Sequence, residues 1–316
     1  MTPHTRLGVG AEFDRIRAIW ERLGSRAAPA GDDCALLPLG EDLLAISTDM
    51  AVEGTHFRAG WLSPRDLGWR IAAAALSDLA AVAAAPVGAM ASIGVPEVAP
   101  DDLVTDLMDG IGDAAQSVGA TVVGGDLVRA ELLVVDMVVF GTVRAPVRRS
   151  GARAGDTLWV TGALGAPVAA IRAWEAGRDP AAAARARFAK PVPRVVAAGR
   201  LREAGATAMI DLSDGLLADA GHLAAASGVA CRIESERVPV HAGADEARDA
   251  LVGGEEYELL AALPATFSAK AAATLAKECG VSLTRVGLVE EGAGVVLVEA
   301  GRPVELPRGF RHFGGP

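Results

Sequence analysis

Apolar and polar positions along this chain alternate in blocks whose period keeps changing between that of a helix and that of a strand. An amphipathic block over Glu12–Leu23 predicts a helix. Cys34–Leu39 and Leu43–Thr48 predict two strands joined by the turn Gly40-Glu41-Asp42. Ser63-Pro64-Arg65-Asp66 is a helix start, with a hydroxyl at the cap, proline in the first turn and then an acid. That helix runs through an alanine-rich segment to about Ala84 and stops before Pro86. A strand near Val87–Val95, a helix from about Asp101 to Val118, and strands at Thr121–Val123 and Leu132–Val143 follow.

The pattern breaks at Arg144–Asp156, which is rich in arginine, glycine and proline, and then restarts. The second half predicts a strand at Thr157–Thr161, a helix after Gly165, and a helix-forming alanine run at Ala181–Ala186. A strand at Ala208–Asp211, a helix from Asp214 to about Ser227 and a strand at Val229–Glu234 complete it. Strands and helices mixed in both halves mean an α/β or α+β protein. A length of 316 residues fits two domains, which we place at 1–148 and 149–316.

Composition narrows the class. With 51% hydrophobic and 22% charged residues the chain is built to fold compactly. No apolar run reaches a membrane-spanning length, and the first residues lack a secretory apolar core, so the expectation is a soluble cytoplasmic protein with no membrane partner. Cys34, Cys231 and Cys279 are widely spaced and odd in number, which suits a reducing compartment better than disulfides or zinc. A formal charge of −10 argues against nucleic-acid binding. The cations are nearly all arginine, with lysine only at Lys190, Lys270 and Lys277. An anionic ligand would then need positive charge from elsewhere.

The candidate chemistry lies in the aspartates, which sit at the ends of apolar strands or in glycine turns. Asp32 and Asp33 follow Gly31, Asp49 follows Ser47-Thr48, and Asp126 follows Gly124-Gly125. Asp211 and Asp214 flank Leu212-Ser213, and Asp78 lies inside the alanine-rich helix. Each alone reads equally as a turn former or a helix cap. Together they call for pairing, exposure or metal, because burying so many bare carboxylates is prohibitive. Oxygen ligands without histidine pairs or thiolates favour magnesium or calcium, and magnesium takes only one or two carboxylates per ion. Several ions bridging a polyphosphate fit this set. There is no GxxxxGK[ST] loop, Rossmann glycine fingerprint, protein-kinase motif or nucleophile motif.

At these residues the chain resembles the thiamine-monophosphate kinase family, of the superfamily that contains aminoimidazole ribonucleotide synthetase. The matching segments run in order: Gly31-Asp32-Asp33-Cys34-Ala35, Ser47-Thr48-Asp49, Val52 to Phe57, Leu76-Ser77-Asp78-Leu79-Ala80, Gly124-Gly125-Asp126 and Arg149-Ser150-Gly151-Ala152. Val160-Thr161-Gly162, Ile210 to Leu216, Gly253 to Leu259 and Phe310-Arg311-His312-Phe313 continue them. The resemblance implies a two-domain fold whose N-terminal sheet domain dimerises, with ATP and thiamine monophosphate in the cleft between domains. It implies magnesium ligands at Asp33, Ser47, Thr48, Asp49, Asp78, Asp126, Asp211 and Asp214, among which Asp49, Asp126 and Asp211 are the expected catalytic set. It implies nucleotide contacts at Gly125, Asp126, Arg149 and Ser213, and substrate contacts at His56, Glu255 and Phe313.

Two departures stand out. Glu256 replaces the family's usual Asp, and Leu127-Val128 replace a usual Thr-Thr before Arg129. The activity implied is in-line attack of a thiamine-phosphate oxygen on the γ-phosphorus of ATP. Rival readings are another ATP-using member of the superfamily and a non-catalytic divalent-metal-binding protein.

Overall fold

The computed structural model describes residues 4–8, 10–28 and 30–307. Its first half contains α1 (Ala11–Leu23), β1 (Ala35–Leu39), β2 (Asp42–Val52), α2 (Pro64–Ala81), β3 (Ala85–Pro96), α3 (Leu103–Ser117), β4 (Thr121–Ala130) and β5 (Val134–Val143). These strands form a sheet in the order β1-β2-β5-β3-β4, antiparallel except for the parallel pair β3–β4.

The second half adds β6 (Thr157–Thr161), α4 (Ala166–Glu175), α5 (Ala182–Ala189), α6 (Val195–Glu203), β7 (Ala208–Asp211), α7 (Leu216–Ser227) and β8 (Ala230–Glu234). The short α8 (Asp249–Val252), β9 (Leu259–Leu263), α9 (Ala269–Cys279), β10 (Leu283–Glu290), β11 (Gly294–Glu299) and β12 (Arg302–Val304) complete it. Its sheet runs β12-β11-β8-β10-β6-β9-β7, with only β8–β11 parallel. The mixed α/β class expected from the pattern is the one observed.

Two strands are longer than their patterns predict, and both extensions carry aspartates. β2 does not end at Thr48. It pairs with β5 without a break from Leu43↔Val143 to Val52↔Val134, so Asp49 lies within the strand. β4 does not end at Val123 either, because Gly124-Gly125 is no turn: β4 continues beside β3, with Gly125 opposite Ala91. A Cβ at Gly125 would sit 2.0 Å from the Ala91 carbonyl oxygen, so glycine is there for close backbone approach.

Helix α2 organises the molecule. Ser63 caps it by accepting the Asp66 amide N–H at 3.1 Å, as its sequence predicts, and the helix ends at Ala81 rather than Ala84. Thirteen of its eighteen residues are buried, so it is apolar nearly all round, the mark of a helix with packing on several sides. Leu76 and Leu79 join Ala45, Met137 and Val139 in the core under the first sheet. Ala80 and Ala81 join Trp159, Met209 and Leu259 under the second. Small side chains allow this double packing. At Gly68 a Cβ would lie 2.0 Å from the Leu107 carbonyl oxygen of α3. The polar side chains buried on α2, Arg70 and Ser77, together with Asp78, therefore face groups of both halves.

Candidate active site

Asp33 enters just before β1, Asp78 stands on the last turns of α2, and Asp211 ends β7. One carboxylate oxygen of each lies within 4.8 Å of the others. Asp33 and Asp211 are buried. Like charges this close in a low dielectric raise one another's pKa, and burial adds to it. Desolvation, then Asp211, Asp33 and Asp49, push Asp78 well above the ordinary carboxylate range, against the hydrogen bond from Ser47. Desolvation and then Asp33 likewise push Asp211 up.

Fixed donors hold this set in place. Ser47 Oγ donates to Asp78 Oδ2 at 2.6 Å, and Ser77 Oγ donates to Asp211 Oδ2 at 2.8 Å. Arg149 donates to both oxygens of Asp33, from Nη2 at 2.7 Å and Nε at 3.1 Å, while its backbone N–H donates to Asp32 Oδ1 at 2.9 Å. The two-pronged geometry is the guanidinium's own.

Asp49 extends the acidic line. Because β2 alternates, Ala45, Ser47 and Asp49 share one face, and the exposed Thr48 side chain lies on the other. Desolvation and then Glu255 raise Asp49 to about 6, opposed by His56. His56 is oriented through Nδ1, which accepts the Val52 amide N–H at 3.1 Å. Glu255 pairs through Oε2 with Arg70 and accepts the Tyr257 hydroxyl at 2.7 Å. A chain of charged groups thus runs from Arg149 and Asp33 through Asp78 and Asp49 to Glu255 and Arg70.

The other expected residues fall elsewhere. Asp126 is exposed on β4, at the sheet's edge, with Oδ1 accepting the Leu127 N–H at 2.9 Å. Across the register Met50↔Asp136, Ser92↔Asp136 and Ser92↔Asp126, it stands three strands from β2 and on the face opposite to Asp49. Three interstrand spacings are about 14 Å. Asp214 lies with Asp219 and His222 in a second group whose ligand atoms also lie within 4.8 Å of one another. Asp219 Oδ2 accepts the N–H groups of Asp214 at 3.1 Å and Gly215 at 3.0 Å, shaping the turn into α7. Ser213 is exposed on that turn. Phe313 lies outside the described residues. A cavity of about 560 Å³ lined by His4, Arg6, Trp20 and Ala224 touches none of these groups.

Sequence reading missed Arg70, Ser77, Tyr257, Asp219 and His222. A signal existed for two of them: Arg70 and Ser77 are seven residues apart, on one face of a helix otherwise built of alanine and leucine. Tyr257 is the chain's single tyrosine, which carries no periodic signal.

With this geometry in hand, comparison with known proteins is decisive. The AIR synthase related protein families match the chain at residues 31–143 (N-terminal domain) and 153–299 (C-terminal domain). Thiamine-monophosphate kinase of Mycobacterium tuberculosis is 34% identical over 98% of this chain and 93% of that protein. The chain belongs to the thiamine-monophosphate kinase family. A solved structure of AaThiL complexed with AMPPCP and TMP has a TM-score of 0.83 at 32% identity, covering 96% of this chain and 97% of that one. The thiamine-monophosphate kinase structure from Stenotrophomonas maltophilia has a TM-score of 0.76 at 36% identity, covering 93% and 98%.

Proposed function

We propose that this protein transfers the γ-phosphoryl group of ATP to thiamine monophosphate, forming thiamine diphosphate and ADP. The observation that carries the reading is the closely spaced triad Asp33, Asp78 and Asp211, held by Arg149, Ser47 and Ser77, in a member of this family. Its donors are all oxygen and closely spaced, which fits a hard divalent cation. Asp33, Asp78 and Asp211, with Asp49 beside them, would hold Mg²⁺, which when bound neutralises phosphate charge during transfer.

The chain's own residues then position the reactants. Arg149 presents fixed donors beside the acidic set. Gly125, Asp126 and Ser213 receive the nucleotide. His56 and Glu255 meet the substrate, and Phe313 stacks on its rings. A phosphate oxygen of thiamine monophosphate attacks the γ-phosphorus, a new P–O bond forms, the β,γ bridging bond breaks, and ADP leaves. The attacking oxygen is already anionic, so no strong general base is required, and no covalent enzyme intermediate is formed.

The domain boundary at 148/149 belongs to the same proposal, as does a homodimer joined through the first sheet. Met50, Met90, Val123 and Val128 are exposed apolar side chains on that sheet and support it. Among the described residues no helix is long and apolar enough to cross a membrane. A cytoplasmic location is part of the reading.

The test is incubation with ATP, Mg²⁺ and thiamine monophosphate, followed by chromatography for thiamine diphosphate and ADP. Free thiamine, which lacks the attacking phosphate, should be a poor acceptor. ATP hydrolysis with neither compound phosphorylated, or equal turnover of both, would sink the assignment.

A further inference from the structure

Glu255 is restrained through one oxygen. Oε2 takes both the Arg70 ion pair and the Tyr257 hydroxyl, while Oε1 accepts no hydrogen bond among the described residues. Arg70 is itself fixed: its other terminal nitrogen donates to the Phe188 carbonyl, and its guanidinium lies 3.5 Å above the Phe188 ring centroid. Its side chain is only 5% exposed. The backbone around Glu255 is equally constrained. Glu255 and Tyr257 occupy the left-handed region at φ +68° and +53°, which non-glycine residues enter only when surroundings enforce it. Their amides donate to Ser213 O at 2.7 Å and Leu212 O at 2.8 Å, tying the segment to the turn that carries Asp211 and Asp214.

We infer that Arg70 is a positioning residue for substrate selection: with Tyr257 it locks Glu255 so that Oε1 is presented to the cationic, amine-bearing ring system of the thiamine-phosphate substrate. This rests on the reading of Glu255 as a substrate contact. One consequence of the pairing gives it force. A carboxylate fixed through one oxygen has lost its rotational freedom before the substrate arrives, so less entropy is lost on binding. Because Arg70 comes from α2 and Glu255 from the loop before β9, the lock also spans the two halves of the molecule.

The experiment is steady-state kinetics on the full chain, with thiamine monophosphate and ATP each varied at saturating co-substrate. Arg70→Met should raise the KM for thiamine monophosphate about tenfold and Tyr257→Phe about threefold, with the KM for ATP within about twofold of wild type. Arg70→Lys keeps the charge but not the fork or the stacking, and should give an intermediate rise of about threefold. Glu255→Gln should raise the same KM, and adding Arg70→Met to it should change it by less than about twofold, since Arg70 acts through that carboxylate. Multiplying effects in the double variant, or a fall in KM in Arg70→Met, would overturn the inference. An unchanged KM in Glu255→Gln would instead remove Glu255 from the substrate site. If Arg70→Met fails to fold because a carboxylate is left buried and unpaired, the double variant and Tyr257→Phe still decide the matter.

Discussion

Arg149 grips Asp33 with two parallel hydrogen bonds, and the Asp33 side chain is fully shielded from solvent. Removing one partner of such a pair leaves a bare buried charge. Arg149→Met should therefore cost about 3–5 kcal/mol of stability, and Arg149→Met combined with Asp33→Asn should recover most of it. Urea unfolding of the single and double variants measures both. Equal stability of the single variant and wild type would mean that Asp33 is solvated.

Asp126 is exposed on an edge strand and, among the described residues, accepts a hydrogen bond only from its neighbour's amide. Its removal should leave the fold intact. Asp126→Asn is expected to lower turnover by about a hundredfold or more, as loss of one electrostatic stabiliser does, with an unchanged melting temperature. Near-normal turnover at saturating Mg²⁺ would return Asp126 to a purely structural role.

Burial, and then crowding by Asp211, Asp33 and Asp49, oppose a charge on Asp78 in the metal-free fold. Asp78→Asn keeps an acceptor for Ser47 and should raise the melting temperature of the metal-free protein. Wild type should gain about 2.7 kcal/mol from Mg²⁺ at a hundred times its Kd, and the variant far less. Thermal melts with and without Mg²⁺ read both effects. An equal Mg²⁺ response in the two proteins would place the ion elsewhere.

Glu256 is fully buried; Oε1 accepts the Gly165 N–H, and Oε2 has no hydrogen-bond partner among the described residues. Desolvation pushes its pKa up to about 8, against the Gly165 hydrogen bond and Arg187. Between the ordinary carboxylate range and about pH 8, the unfolded chain has lost this proton and the folded chain has kept it. The folded state then binds more protons, so its stability falls as pH rises across that window and levels off above it. Glu256→Gln should remove this group's share of the decline, leaving that of Asp211, Asp78 and Asp49, and be more stable than wild type at pH 8 by a few kcal/mol, at about 1.4 kcal/mol per pKa unit. Urea titrations at pH 5 and pH 8 test this. Parallel pH dependence in both proteins would show that Glu256 ionises normally in the fold.

Local sequence determined a good deal about this protein. The cap at Ser63, the period changes and the turn at Gly40 marked α2, β1 and most other elements of the first half within a few residues, because caps and periodicity act over one or two turns of chain. The ordered aspartate segments likewise identified the family and the oxygen-rich chemistry. Strand lengths were less legible: β2 and β4 run on through Asp49 and Asp126 because hydrogen bonding to β5 and β3, distant in sequence, sustains them. Only the tertiary structure decided which aspartates meet. Asp33, Asp78 and Asp211 converge because α2 is packed against both sheets, while Asp126 is held three strands away and Asp214 joins Asp219 and His222. The same packing brings Arg70 to Glu255 across the two halves of the chain, a pairing between residues far apart in sequence that no local pattern encodes.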